Sequence, residues 1–172
     1  VHWVPKHNTR SPQHQELMPH TFVIFGASGD LTSRKLVPAL YNLMRAGLLP
    51  ENSKIIGFSR TPMSDAQWRA SLRESTEQNA GGEPFSHEAW NDFEPIIHYQ
   101  PGDIENTEDF ESLRHRLHEI EAGEHVPRVY YLATAPRFYT PAVTALGNLN
   151  MASEENGPRR IVIEKPFGTD FD

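Results

Sequence analysis

The stretch FVIFGASGDLTSRK, Phe22 to Lys35, carries the decisive pattern in this 172-residue chain. Thr21 to Gly26 is continuously apolar apart from its first residue, as a strand buried on both faces should be. It runs through Gly26, Ala27, Ser28 and Gly29 directly into a helical pattern that begins at Asp30. A strand that turns on glycines into a helix makes a phosphate-binding turn. Gly26 permits the tight turn, Gly29 lets backbone and pyrophosphate approach closely, and the first free amides of the helix supply donors backed by a partial positive charge. The candidate cofactor-binding residues here are Gly26, Ala27, Ser28, Gly29, Asp30, Leu31, Thr32 and Ser33. A bare G-x-x-G also makes ordinary turns, and its position at the first strand-to-helix junction gives it weight.

Two other glycine-loop chemistries fail on inspection. A P-loop ends in Gly-Lys-Ser/Thr, whereas Gly29 is followed by Asp30 and Leu31. Short-chain dehydrogenases use a Tyr-x-x-x-Lys pair, and none of the five tyrosines has a lysine four residues later.

Outward from this stretch, strand-like and helix-like segments alternate, the signature of a parallel sheet covered by crossover helices. The helix from Asp30 to Ala46 is expected to bury Leu36, Leu40 and Leu43 on one face and to end at Gly47. Lys54 to Phe58 reads as the second strand. Ser64 with Gln67 forms a capping box opening a helix with Trp68 and Leu72 inward. Ser86 to Phe93 reads as a short helix and Ile96 to Gln100 as a third strand. Asn106 and Asp109 cap a helix carrying Phe110, Leu113, Leu117 and Ile120 at helical spacing. Val129 to Thr134, Phe138 to Asn150 and Arg160 to Glu164 follow as strand, helix and strand. The expected architecture is a doubly wound α/β domain spanning 21–172. Residues 1–20, with three prolines, four histidines and no apolar period, read as a flexible arm.

Composition narrows the classes further. Sixteen basic against 23 acidic residues give a net charge of −7 with no basic stripe, which argues against nucleic acid as a partner. No apolar run nears the ~20 residues that span a bilayer, so no membrane partner is expected. The absence of cysteine removes disulfides and thiolate chemistry, and fits a reducing, cytoplasmic setting. The irregularly spaced arm histidines lack carboxylate partners, so no metal is expected.

Two further residues suggest chemistry. An NAD-binding domain normally ends its second strand in Asp or Glu, to hold the ribose hydroxyls. Here the sequence reads IIGFSRT and places Arg60 there instead. A guanidinium suits a ribose 2′-phosphate, so the cofactor expected is NADP; a solvated arginine is the plainer alternative. In IVIEKPFGTD, Ile161 to Asp170, a strand delivers Lys165 at its carboxyl end, the side of an open α/β sheet on which ligands bind. An exposed strand-end lysine is equally compatible.

Taken together, Gly26 to Leu31 (GASGDL), Gly57 to Arg60 (G-x-x-R) and Glu164 to Asp170 (EKPFGTD) resemble the glucose-6-phosphate dehydrogenase family. Tyr131 to Tyr139 (YLATAPRFY) is similar to the family's loop beside the nicotinamide, with Thr134 and Ala135 where many members have Leu-Pro. The resemblance covers Thr21 to Asp172 and implies a Rossmann-type domain. It also implies that Lys165 binds glucose 6-phosphate near the nicotinamide, that Tyr139 belongs to the nicotinamide pocket, and that the Lys165–Pro166 bond is cis. The family's catalytic histidine lies in a later Arg-Ile-Asp-His-Tyr-Leu-Gly-Lys-Glu motif, within a β+α domain through which members form homo-oligomers. No such motif occurs here. The chain is thus expected to be an N-terminal fragment, inactive by itself, of an enzyme making 6-phosphogluconolactone. Another sugar oxidoreductase with the Glu-Lys-Pro motif, or a non-catalytic NADP-binding module, are the alternatives.

Overall fold

The computed structural model describes residues 18–164. Lys165, the Lys165–Pro166 bond and most of the expected arm lie outside these. Five strands, β1 (Thr21–Phe25), β2 (Lys54–Ser59), β3 (Ile97–Pro101), β4 (Arg128–Leu132) and β5 (Arg159–Ile163), form one parallel sheet in the order β3-β2-β1-β4-β5. The chain starts in the middle, winds outward to β3, then crosses to β4, which is the doubly wound topology expected from the alternation. β1 is central, with Val23 opposite Ile56 on one side and Tyr130 on the other.

Alternation along the strands divides the core into two layers. On one face Val23, Phe25, Ile56, Phe58, Tyr130 and Leu132 pack against α4 (Thr107–Ile120) and α5 (Tyr139–Asn148). On the other, Ile24, Ala27, Ile55, Ile97 and Tyr99 pack against α1 (Val37–Arg45), α2 (Asp65–Asn79) and α3 (His87–Phe93). Phe25 joins the first layer as an aromatic cluster, its ring 5.7 Å from those of both Phe58 and Phe110. Burying each such ring contributes roughly 1.5–3 kcal/mol.

Helix starts follow the capping chemistry. Ser64 Oγ accepts from the Gln67 N–H at 3.1 Å while Gln67 Oε1 accepts from the Ser64 N–H at 2.9 Å, completing the box. Asn106 Oδ1 accepts from the Asp109 N–H at 3.1 Å. Trp68, Leu72, Phe110, Leu113 and Leu117 are buried as their spacing predicts.

The first helix departs from expectation. It is helical from Asp30, but Thr32–Leu36 is a π-helical segment in which the Val37 N–H donates to Thr32 O. Continuing the wide turn would ask Pro38 to donate to Ser33 O, and proline has no N–H. Ser75 Oγ of α2 donates to that carbonyl instead, at 2.7 Å. The inserted residue rotates the remainder of the helix, so Thr32, Val37 and Tyr41 are fully buried while Leu43 is exposed and Leu36 and Leu40 are only half-buried.

At the amino ends of the strands, Glu121 and Arg128 form a buried pair. Arg128 Nη2 donates to Glu121 Oε1 at 2.5 Å and its Nε to Oε2 at 3.1 Å. Thr21 Oγ1 adds a bond to Oε2 at 2.8 Å. Burial opposes the Arg128 charge, but the Glu121 carboxylate outweighs it and holds the guanidinium pKa above its ordinary value. Removing one member of a buried pair strands the other, at about 3–5 kcal/mol. Glu121→Ala is therefore expected to lower unfolding free energy by about that amount, read from urea denaturation; a change under about 1 kcal/mol would show that the pair does not anchor this end.

Candidate functional site

A cleft of about 610 Å³ opens across the carboxyl ends of the strands. This lies between β1 and β4, where the order in which strands are added reverses, the switch point at which open α/β sheets bind ligands. Its wall combines the turn after β1 (Gly26, Ser28, Gly29), the end of β2 (Phe58 to Pro62), the turn after β3 (Gly102 to Ile104) and the segment after β4 (Ala133 to Ala135, with Phe138).

The β1 turn is fixed by short-range bonds. Gly26 has φ +83°, and a methyl group added to it would stand 2.2 Å from the Ala133 carbonyl oxygen. Its N–H donates to Phe58 O at 3.0 Å, and its own carbonyl accepts from the Gly29 N–H at 3.0 Å and from Thr32 Oγ1 at 3.1 Å. With those amides engaged, the Ser28 N–H makes no hydrogen bond among the described residues. It lies at the lip of the cleft, just ahead of the helix start.

The end of β2 carries Arg60, exposed and without an ion-pair partner among the described residues. The residues on either side of it are tied down. The phenol of Tyr99 on β3 lies 2.5 Å from Thr61 O, 3.3 Å from Ser59 O and 2.6 Å from Ser59 Oγ. The acid lining the cleft, Asp103, comes from the turn after β3, and its Oδ1 accepts from the Glu105 N–H at 2.9 Å. Gly57, two residues before Ser59, is needed for packing: a Cβ there would lie 2.5 Å from the Trp68 ring and 2.6 Å from Ala27 Cβ.

Comparison with known proteins agrees with this geometry. The family model for the glucose-6-phosphate dehydrogenase NAD binding domain matches residues 23–172. The chain belongs to the glucose-6-phosphate dehydrogenase family. A glucose-6-phosphate 1-dehydrogenase of Chlamydia muridarum is 36% identical over 159 residues, covering 89% of this chain and 31% of the relative. That of Treponema pallidum is 37% identical over 152 residues, covering 87% and 30%. A solved glucose-6-phosphate dehydrogenase in complex with its substrate glucose-6-phosphate superposes with a TM-score of 0.76 at 32% identity, over 89% of this chain and 31% of that one. The Mycobacterium avium enzyme gives a TM-score of 0.73 at 26% identity, covering 88% and 31%. The chain thus spans about a third of the length of the relatives it matches.

Among the residues expected at the site, the family fold brings Gly26, Ser28, Gly29 and Arg60 together in the cleft. Ala27 is buried behind it, its carbonyl accepting from Trp68 Nε1 at 3.3 Å. Asp30, Leu31, Thr32 and Ser33 form the helix start and do not line the wall; Thr32 is fully buried and acts by locking Gly26. Tyr139 is also off the wall, its hydroxyl donating to the Glu164 carbonyl at 3.3 Å. Tyr131 donates to the Glu164 carboxylate, and burial and that carboxylate push its phenol up to about 12.

Sequence reading passed over Ser59, Thr61 and Asp103, which line the cleft, and Tyr99, which braces it. The available signal was positional: each stands at or near the carboxyl end of a strand, the ligand side of such a sheet.

The two turn glycines should differ in what they cost. Gly26→Ala forces a left-handed backbone on alanine and a clash with Ala133, at roughly 1–3 kcal/mol for the strain alone. Gly29→Ala meets only the Gly26 oxygen at 3.3 Å. Thermal melting should therefore fall much further for Gly26→Ala than for Gly29→Ala; equal losses would refute this account of the turn.

Proposed function

We propose that this domain binds NADP and belongs to a protein that oxidises glucose 6-phosphate to 6-phosphogluconolactone, the first step of the pentose phosphate pathway. The observation that carries the cofactor assignment is Arg60 at the end of β2, facing the cleft from the position where a carboxylate would select NAD. A cleft of about 610 Å³ suits a ligand of this size. The cradle at Gly26 and the unengaged Ser28 N–H suit an anionic pyrophosphate. Bound there, NADP would supply the hydride acceptor.

The chain's own part is to bind and orient. The β1 turn offers the Ser28 N–H to the pyrophosphate, Arg60 offers a forked guanidinium to the 2′-phosphate, and Thr134, Ala135 and Phe138 close the wall on the β4 side. Among the described residues no histidine lines the cleft. Lys165, two residues after β5, is assigned to the sugar phosphate as its sequence motif implies. No helix among the described residues is long and apolar enough to cross a membrane.

The decisive experiment is equilibrium titration of Arg60→Ala with NADP and with NAD. A charge-assisted contact contributes roughly 1.5–3 kcal/mol, so NADP affinity should fall on the order of tenfold or more while NAD affinity stays within about twofold. Equal losses for both would remove Arg60 from the 2′-phosphate.

A further inference from the structure

Arg60 is a long, exposed side chain, and such a group discriminates between ligands only if the backbone beneath it is held still. Arg60 and Thr61 lie past Ser59, the last ladder residue of β2, so the sheet's hydrogen bonds do not fix them. The anchor is Tyr99, whose single hydroxyl stands among oxygen atoms of both residues flanking Arg60.

The protons can be counted. A phenol has one proton to donate, and Thr61 O at 2.5 Å is the closest acceptor. Ser59 Oγ, 2.6 Å away, must then donate to the phenol oxygen. Ser59 Oγ also lies 3.2 Å from Ser28 Oγ in the β1 turn, the alternative acceptor for its single proton. The result is a directed relay, Ser59 to Tyr99 to Thr61, running from the end of β2 to the far side of Arg60. Hydroxyl chains of this kind polarise one another and strengthen cooperatively.

Tyr99 is itself immobilised. It is buried, its ring centroid is 5.4 Å from that of Trp68, and its N–H donates to Asp65 Oδ1 at 2.7 Å. Asp65 is held in place by Arg116 of α4 through a 2.6 Å bond to its other oxygen. Burial raises the phenol's pKa, so it remains a proton donor well above neutral pH.

We propose that Tyr99 is the positioning residue for Arg60, and that through it the hydroxyl relay sets the preference for a cofactor bearing a 2′-phosphate over one with a free 2′-hydroxyl. This rests on the assignment of Arg60 to the 2′-phosphate. Tyr99 touches no cofactor; it acts by fixing the Ser59 hydroxyl before the arginine and the Thr61 carbonyl after it.

Tyr99→Phe removes the oxygen and keeps the ring, so the packing against Trp68 is retained. Titrated as the 172-residue chain with NADP and NAD, it should weaken NADP roughly three- to tenfold, the equivalent of one neutral hydrogen bond, and NAD less than twofold. A merely structural role would move both cofactors together. In the Arg60→Ala background, Tyr99→Phe should change the NADP-to-NAD ratio no further. If Tyr99→Phe does not fold, Ser59→Ala removes the donor to the phenol and should shift the ratio in the same direction by a smaller factor. An unchanged ratio in Tyr99→Phe, or in Ser59→Ala where it is the variant available, while Arg60→Ala lowers it, overturns the role of Tyr99 and leaves the cofactor assignment standing. An unchanged ratio in Arg60→Ala overturns both.

Discussion

How closely one stretch of backbone passes another decides what the rest of this domain can do. Leaving β1, the chain runs so near the Ala133 carbonyl that only a hydrogen atom fits at Gly26. That approach brings the ends of β1 and β4 side by side at the point where the strand order reverses. It also turns the chain sharply enough for Thr32 to reach back and bind the Gly26 carbonyl. The cleft is the space left over by this geometry, so its shape derives from the fold itself and not from a mobile loop.

The two ends of the sheet divide the polar work. At the amino ends, Glu121 and Arg128 satisfy one another, with Thr21 and Tyr130 taking part, and Tyr130 donates its own proton to Met151 O at 2.6 Å. That network looks inward. At the carboxyl ends, Ser28 and Arg60 face open space with capacity to spare, while Tyr99, Ser59 and Asp65 hold their surroundings rigid. Mutually satisfied pairing is concentrated at the amino ends, and unused hydrogen-bonding capacity at the carboxyl ends.

Much of this was legible in the sequence because it depended on neighbours along the chain. The buried run into Gly26, the Ser64–Gln67 box, the Asn106 cap and the spacing of Phe110, Leu113 and Leu117 all express local rules, and the structure obeys them. The features that escaped depended on distant residues. Tyr99 looks like any aromatic in a strand until Thr61, 38 positions earlier, is brought against its hydroxyl. Thr32 resembles an open phosphate ligand until the Gly26 carbonyl claims its hydroxyl inside the fold. Leu36, Leu40 and Leu43 fit a regular helical stripe, and the stripe misleads because the helix is not regular there.

That irregularity has a use. A helix that begins at the glycine turn must aim its first residues so that Thr32 locks Gly26, and the same helix must present Val37 and Tyr41 to the core behind. In an unbroken α-helix each residue advances the face by about 100°, so choosing one orientation dictates the other. The extra residue between Thr32 and Val37 acts as a phase adjuster, uncoupling the two. Sequence drift in the core-facing half can then be absorbed without rotating the half that locks the turn, and a one-residue deletion in Thr32–Leu36 would restore the regular winding while setting the two halves against each other.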